Sequence, residues 1–173
     1  MILPDYYEFC CRVKIVAGHD ALEKIPALLA EMGSKKPLII TDKGVAAAGL
    51  VDIVVNALKD GVTIGGIADN VPPDSDLKVV NQLAGLYRDN ACDAIIAVGG
   101  GSVMDTAKGV NIVVSENATD LMAFSGAGAL NRRLKTLVAI PTTAGTGSEV
   151  TLVAVIKGHE KHLKMAFTSY LLL

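Results

Sequence analysis

A chain of 173 residues with 51% hydrophobic content can bury one substantial core, which fits a single domain or one lobe of a larger protein. Its formal charge of −2 and 4% aromatic content leave neither a basic footprint nor a stacking platform for nucleic acid. No stretch reaches the roughly 18 uncharged apolar residues of a membrane span, and Asp5 and Glu8 stand where a signal peptide would be basic and then apolar, so no membrane partner and a cytoplasmic location are expected.

Apolar runs of strand length alternate with stretches of helical period, the signature of βαβ units around a parallel sheet. Residues 12–16 read as an opening strand. Ala21, Leu22, Ile25, Leu28, Leu29 and Met32 then recur at three and four residues up to a capping Gly33. Pro26 requires that helix to begin near Ile25 or to kink there. Residues 38–41 form the next strand, and a helix with Leu50, Ile53, Val54 and Leu58 on its apolar face ends before Gly61. Residues 62–68 read as a third strand. Residues 72–76 turn into a helix capped by Ser75 or Asp76, with Val79, Val80, Leu83 and Leu86 on one face. Residues 94–98 make the fourth strand, and a helix from near Ser102 carries Ala107, Val110 and Val114. A loop-rich stretch follows, and residues 137–140 read as a fifth, buried strand. Beyond it, residues 150–157 and 162–168 flank Gly158-His159-Glu160 as an antiparallel hairpin. The expected class is α/β, a doubly wound, mostly parallel sheet with a C-terminal β-hairpin.

Two polar loops leave from predicted strand ends. Gly99-Gly100-Gly101-Ser102-Val103-Met104-Asp105-Thr106-Ala107-Lys108-Gly109 turns a strand into a helix, so backbone amides can approach an anion at the helix's positive end, as a dinucleotide's diphosphate requires. The spacing is neither a G-x-G-x-x-G fingerprint nor a Walker A, and a tight strand-to-helix turn is the plain alternative. Asp105, one turn into the helix, is either a ligand contact or a helix-terminus charge. Pro141-Thr142-Thr143-Ala144-Gly145-Thr146-Gly147-Ser148-Glu149-Val150-Thr151 supplies hydroxyls and close backbone approach for a phosphate or ribose. In open parallel sheets ligands bind outside the carboxyl ends of the strands, which is where both loops start. Asp42, at the end of the second strand, is either a ribose acceptor that repels a 2′-phosphate or a helix N-cap. His159 and His162, flanked by Lys157, Lys161 and Lys164, make poor company for a metal ion. Cys10, Cys11 and Cys92 fit neither a disulfide framework nor zinc spacing and read as small thiols.

Together the two motifs resemble the iron-containing (group III) alcohol dehydrogenase family, with the likeness extending through Leu38 to Asp42 and the closing Lys164-Met165-Ala166. The resemblance covers essentially the whole chain and only the family's N-terminal, cofactor-binding half. It implies a Rossmann-like dinucleotide-binding domain over residues 1–173, without the family's helical metal-binding domain. It implies that Gly100, Gly101 and Ser102 meet the pyrophosphate of NAD and that Asp42 lies near the adenosine ribose. Thr142, Thr143, Gly145 and Thr146 would line the cofactor, Val153 and Lys164 would complete the cleft, and Asp105 would lie toward the nicotinamide and substrate. Asp74 stands where the family often has an asparagine that contacts cofactor. The family's metal, Fe2+ or Zn2+, is held by one aspartate and three histidines of the second domain, so no catalytic or metal residue is expected in this chain. The complete enzyme would interconvert small alcohols with aldehydes or ketones; the isolated chain is expected to bind cofactor without turnover. Glycerol dehydrogenases and dehydroquinate synthases share the glycine run, but the Gly147-Ser148-Glu149-Val150-Thr151 continuation favours the alcohol dehydrogenases. A non-catalytic dinucleotide-binding module that self-associates into a homo-oligomer is the reading from another class.

Overall fold

The computed structural model describes Tyr6, residues 12–158 and residues 163–172. Its centre is a four-stranded sheet of β1 (Pro37–Ile40), β2 (Gly66–Ala68), β3 (Ala94–Gly99) and β5 (Thr136–Pro141), in the order β2-β1-β3-β5, with every neighbouring pair parallel. Side chains alternate across the sheet and build two cores. Leu38, Ile40, Ile95 and Ala97 pack on one face with α4 (Leu77–Asp89) and α5 (Gly101–Ser115). Ile39, Ala94, Ile96 and Val98 pack on the other with α1 (Ile25–Glu31) and α3 (Leu50–Leu58). Helices on both faces make the sheet doubly wound, as the alternation of elements implied.

A second, three-stranded sheet joins β4 (Gly126–Ala127), β7 (Lys164–Thr168) and β6 (Val153–Lys157). β6 and β7 form the expected antiparallel hairpin, with Val153 opposite Thr168 and Lys157 opposite Lys164. Ala154, Ile156 and Phe167 turn inward to the core that holds α5, which fixes the hairpin over that helix.

The local signals account for the element ends. Pro26 sits at the start of α1 after a 3-10 turn at Leu22–Lys24, and Gly33 leaves the helix with φ +73°. Asp76, rather than Ser75, caps α4, its side chain accepting from Lys78 N at 2.7 Å.

Four expectations are corrected. Residues 12–16 form no strand; Ile15 and Val16 stay 68% and 42% exposed, because no neighbouring strand edge pairs with them among the described residues. The third strand shrinks to Gly66–Ala68, and before it only the isolated bonds from Thr63 N to Lys35 O and from Gly65 N to Pro37 O tie the segment to the chain leading into β1. The buried face of α3 is Val51, Val54 and Leu58, while Leu50 and Ile53 point to solvent; α2 (Lys43–Ala47) and Gly49 at φ +75° reset the helical phase before it. β5 is half-buried, because among the described residues it is an edge strand with β3 as its one partner. Cys92 is half-buried, and burial pushes its thiol pKa up, as an inert thiol requires. Cys10, Cys11, Asp5 and Glu8 lie outside the described residues. No helix of the described residues is long and apolar enough to cross a membrane.

Candidate dinucleotide site

The two motif loops leave from adjacent strand ends. Gly99 is in register with Pro141, and Thr142 N donates to Gly99 O at 3.0 Å. None of Gly99, Gly100 and Gly101 has a positive φ, so none is required for handedness, and Gly99 and Gly100 are required for space. A Cβ on Gly99 would lie 2.6 Å from Val103 Cγ2, and one on Gly100 would lie 2.9 Å from Thr143 Oγ1. A Cβ on Gly101 would lie 3.4 Å from both Ser148 Oγ and Thr146 Cγ2. The threonine loop is therefore folded against the start of α5. No side chain caps that helix from its N-cap, Gly100, which leaves its first-turn amides for an anion.

A third segment closes the site from the side. Ser102 Oγ donates to Pro73 O, Ser75 Oγ donates to Ser102 O at 2.9 Å, and Lys157 N donates to Ser75 O at 2.7 Å. The segment thus bridges the first turn of α5 and the hairpin. It brings Asp74 between the hairpin lysines, 3.4 Å from Lys164 Nζ and 3.9 Å from Lys157 Nζ. Asp74, Ser75, Ser102, Asp105, Val155, Lys157 and Lys164 line a cleft of about 110 Å³.

Beneath the cleft, Asp105 Oδ2 accepts from Val155 N at 3.0 Å, while Oδ1 is buried and makes no hydrogen bond. Burial raises the Asp105 pKa, opposed by the Val155 amide, the Lys108 charge and the Ser148 hydroxyl. Lys108, 2% exposed, donates to Thr151 O, to Val153 O at 3.1 Å and to Thr151 Oγ1 at 3.3 Å. Burial pulls its pKa down to about 8 against the attraction of Asp105 and Glu149.

The structure brings Gly100, Gly101 and Ser102 together with Thr143 and Thr146, and Ser102 and Asp105 together with Lys164. Thr142 is anchored by its amide to Gly99, Gly145 turns the loop with φ +102°, and Val153 enters through its carbonyl on Lys108. Asp42 stands one strand over at the same end of the sheet; its Oδ1 caps α2 by accepting from Val45 N at 2.9 Å. Sequence reasoning gave Lys108 and Glu149 no role of their own, and it named Asp74 and Lys164 without the ion cluster they form with Lys157. Lys108 had a signal: twelve of the fifteen α5 residues are buried, and a helix with no solvated face must bury its lysine too. Among the described residues no group of three or more His, Cys, Asp or Glu side chains could hold a metal ion, so these residues do not fit iron. His159 and His162 lie outside the described residues.

The sequence pattern of the iron-containing alcohol dehydrogenases matches residues 13–173. A choline dehydrogenase of Bacillus subtilis is 36% identical over 161 residues, covering 92% of this chain and 40% of that protein. An alcohol dehydrogenase structure from Oenococcus oeni superposes with a TM-score of 0.88 at 34% identity, over 97% of this chain and 44% of the other. A sulfoacetaldehyde reductase from Bifidobacterium kashiwanohense, solved in complex with NAD+, superposes with a TM-score of 0.85 at 26% identity, over 98% of this chain and 45% of the other. The chain thus spans less than half the length of each of these proteins. The chain belongs to the iron-containing alcohol dehydrogenase family.

Proposed function

We propose that this chain is the NAD-binding part of a cytoplasmic dehydrogenase that passes hydride between a small alcohol and NAD. The observation that carries the reading is the packing of the Thr143–Thr146 loop against an α5 N-terminus that no side chain caps, at the carboxyl end of the parallel sheet. There the first-turn amides would hold the diphosphate and the loop hydroxyls would hold phosphate or ribose oxygens. Asp105, which lines the cleft, would lie toward the cofactor's nicotinamide half. Asp42 would accept from the adenosine ribose and repel a 2′-phosphate, favouring NAD over NADP. The NAD+ complex of the sulfoacetaldehyde reductase supports the choice of cofactor. In a whole protein of this family an iron or zinc ion would supply Lewis-acid polarisation of the alcohol oxygen, held by residues other than the described ones. The residues of this chain orient the cofactor and exclude water from one side of it.

Titration of the chain with NADH, followed by nicotinamide fluorescence, tests the reading. Saturable binding is expected, weaker for NADPH. A chain folded by circular dichroism that shows no saturation up to about 1 mM NADH, a concentration that reveals even weak sites, would refute it.

A further inference from the structure

We infer that Asp74 sets the affinity of this cleft for a phosphorylated ligand by neutralising the two lysines that face it, an inference that rests on the dinucleotide reading above. The hairpin register places Lys157 directly opposite Lys164. Like charges so placed repel across a strand pair, and one carboxylate meets both: Oδ1 of Asp74 lies toward Lys164 and Oδ2 toward Lys157. The acid is held there. Ser102 Oγ bonds the carbonyl of Pro73 before it, and Lys157 N bonds the carbonyl of Ser75 after it, so Asp74 is suspended between the start of α5 and the hairpin.

The charges lining the cleft are those of Lys157 and Lys164 against those of Asp74 and Asp105, which cancel. A diphosphate reaching the positive end of α5 therefore meets cations that already have a counter-ion, and must displace it. Removing the Asp74 charge frees both lysines and leaves the cleft positive. The Asp74 and Lys164 side chains are 57% and 65% exposed, so solvent screens the effect and a substitution disturbs no core. Asp74 is thus an affinity-determining residue whose carboxylate competes with the ligand's own phosphates.

The test is NADH titration of the 173-residue chain and its Asp74→Asn, Asp74→Glu, Lys164→Gln and Asp74→Asn/Lys164→Gln variants at low and high salt. Asp74→Asn should bind about threefold tighter at low salt, with the gain fading as salt screens the freed lysines. Asp74→Glu should match the wild type, and the gain from Asp74→Asn should shrink when Lys164→Gln is already present. Wild-type binding with no tightening in Asp74→Asn, equal tightening in Asp74→Glu, or a gain that persists undiminished at about 0.5 M salt, where the Debye length is only a few ångströms, overturns the role of Asp74 and leaves the dinucleotide reading standing. Absence of NADH binding in both the wild type and Asp74→Asn overturns the dinucleotide reading and this inference with it.

Discussion

Replacing Lys108 by methionine separates the two opposing contributions of a buried cation. The substitution keeps most of the stem's volume and removes the donor that holds Thr151 O and Val153 O. Leaving a buried acceptor without its partner costs about 1–3 kcal/mol. Against this, the native chain bears the cost of keeping an ammonium out of water, which is why the Lys108 pKa falls to about 8. Near neutral pH the two largely offset, and Lys108→Met should be only about 1 kcal/mol less stable. The unfolded chain keeps the lysine proton up to about pH 10.4, while the folded chain releases it near 8. Between these values the unfolded state binds more protons, so native stability rises with pH. The neutral amine still has two N–H groups for the two carbonyls. The gap between native and Lys108→Met chains should therefore widen above pH 8, by up to about 1.4 kcal/mol per pH unit. Urea unfolding followed by circular dichroism from pH 7 to 9.5 measures it. A gap that stays flat or narrows over that range would refute the buried-cation account.

Gly99→Ala pushes a methyl to 2.6 Å from Val103 Cγ2 and should cost about 1–3 kcal/mol in urea unfolding. Gly101→Ala meets only 3.4 Å contacts and should hold stability within about 0.5 kcal/mol while weakening NADH about tenfold, a split read by pairing melts with titrations. Asp42→Ser keeps a capping oxygen for Val45 N and should preserve stability, whereas Asp42→Ala should lose about 1 kcal/mol. Both should narrow the preference for NADH over NADPH; an unchanged preference in Asp42→Ser would leave Asp42 as a cap alone. Asp105→Asn retains an acceptor for Val155 N and removes a buried charge, so it should stabilise by about 0.5–1 kcal/mol at pH 7. Burial raises the Asp105 pKa, so native stability falls as pH climbs from the unfolded carboxylate value through the folded one, and thermal melts should show the Asp105→Asn advantage closing toward pH 4.

The sheet was legible because its signal is local. Ile39 and Ile96 go to one face and Leu38 and Ile95 to the other by the two-residue period alone, and Pro26 and Asp76 mark helix starts by their own chemistry. What was not legible depends on partners distant in sequence. Residues 12–16 have a strand's composition, but a strand also needs an edge to pair with. Leu50 and Ile53 fit a helical period whose phase is set by Gly49, and only packing decides which apolar stripe of a helix with just Asp52 and Asn56 polar faces inward. Asp74 meets lysines more than eighty residues away, a pairing no window of sequence contains.

The spacing of the first motif has a structural cause in the second. Gly101, Asp105 and Lys108 are related by steps of four and three along α5, which puts them on one helix face. Each meets a different piece of the following segment: Gly101 lies against Thr146 and Ser148, Asp105 accepts from Val155 N, and Lys108 donates to Thr151 and Val153. Gly99 and Gly100 join the same contact from the strand end, through Thr142 N and Thr143 Oγ1. One face of α5 thus docks the threonine loop and the first hairpin strand. The buried lysine closes the far end of that contact, and the first-turn amides remain open at the near end. A substitution at Lys108 would therefore reach the threonine loop through Thr151, although Lys108 itself lines no part of the cleft described above. The two motifs form one structural unit before either meets a ligand, and this is why their joint presence in one sequence specifies the geometry of the site.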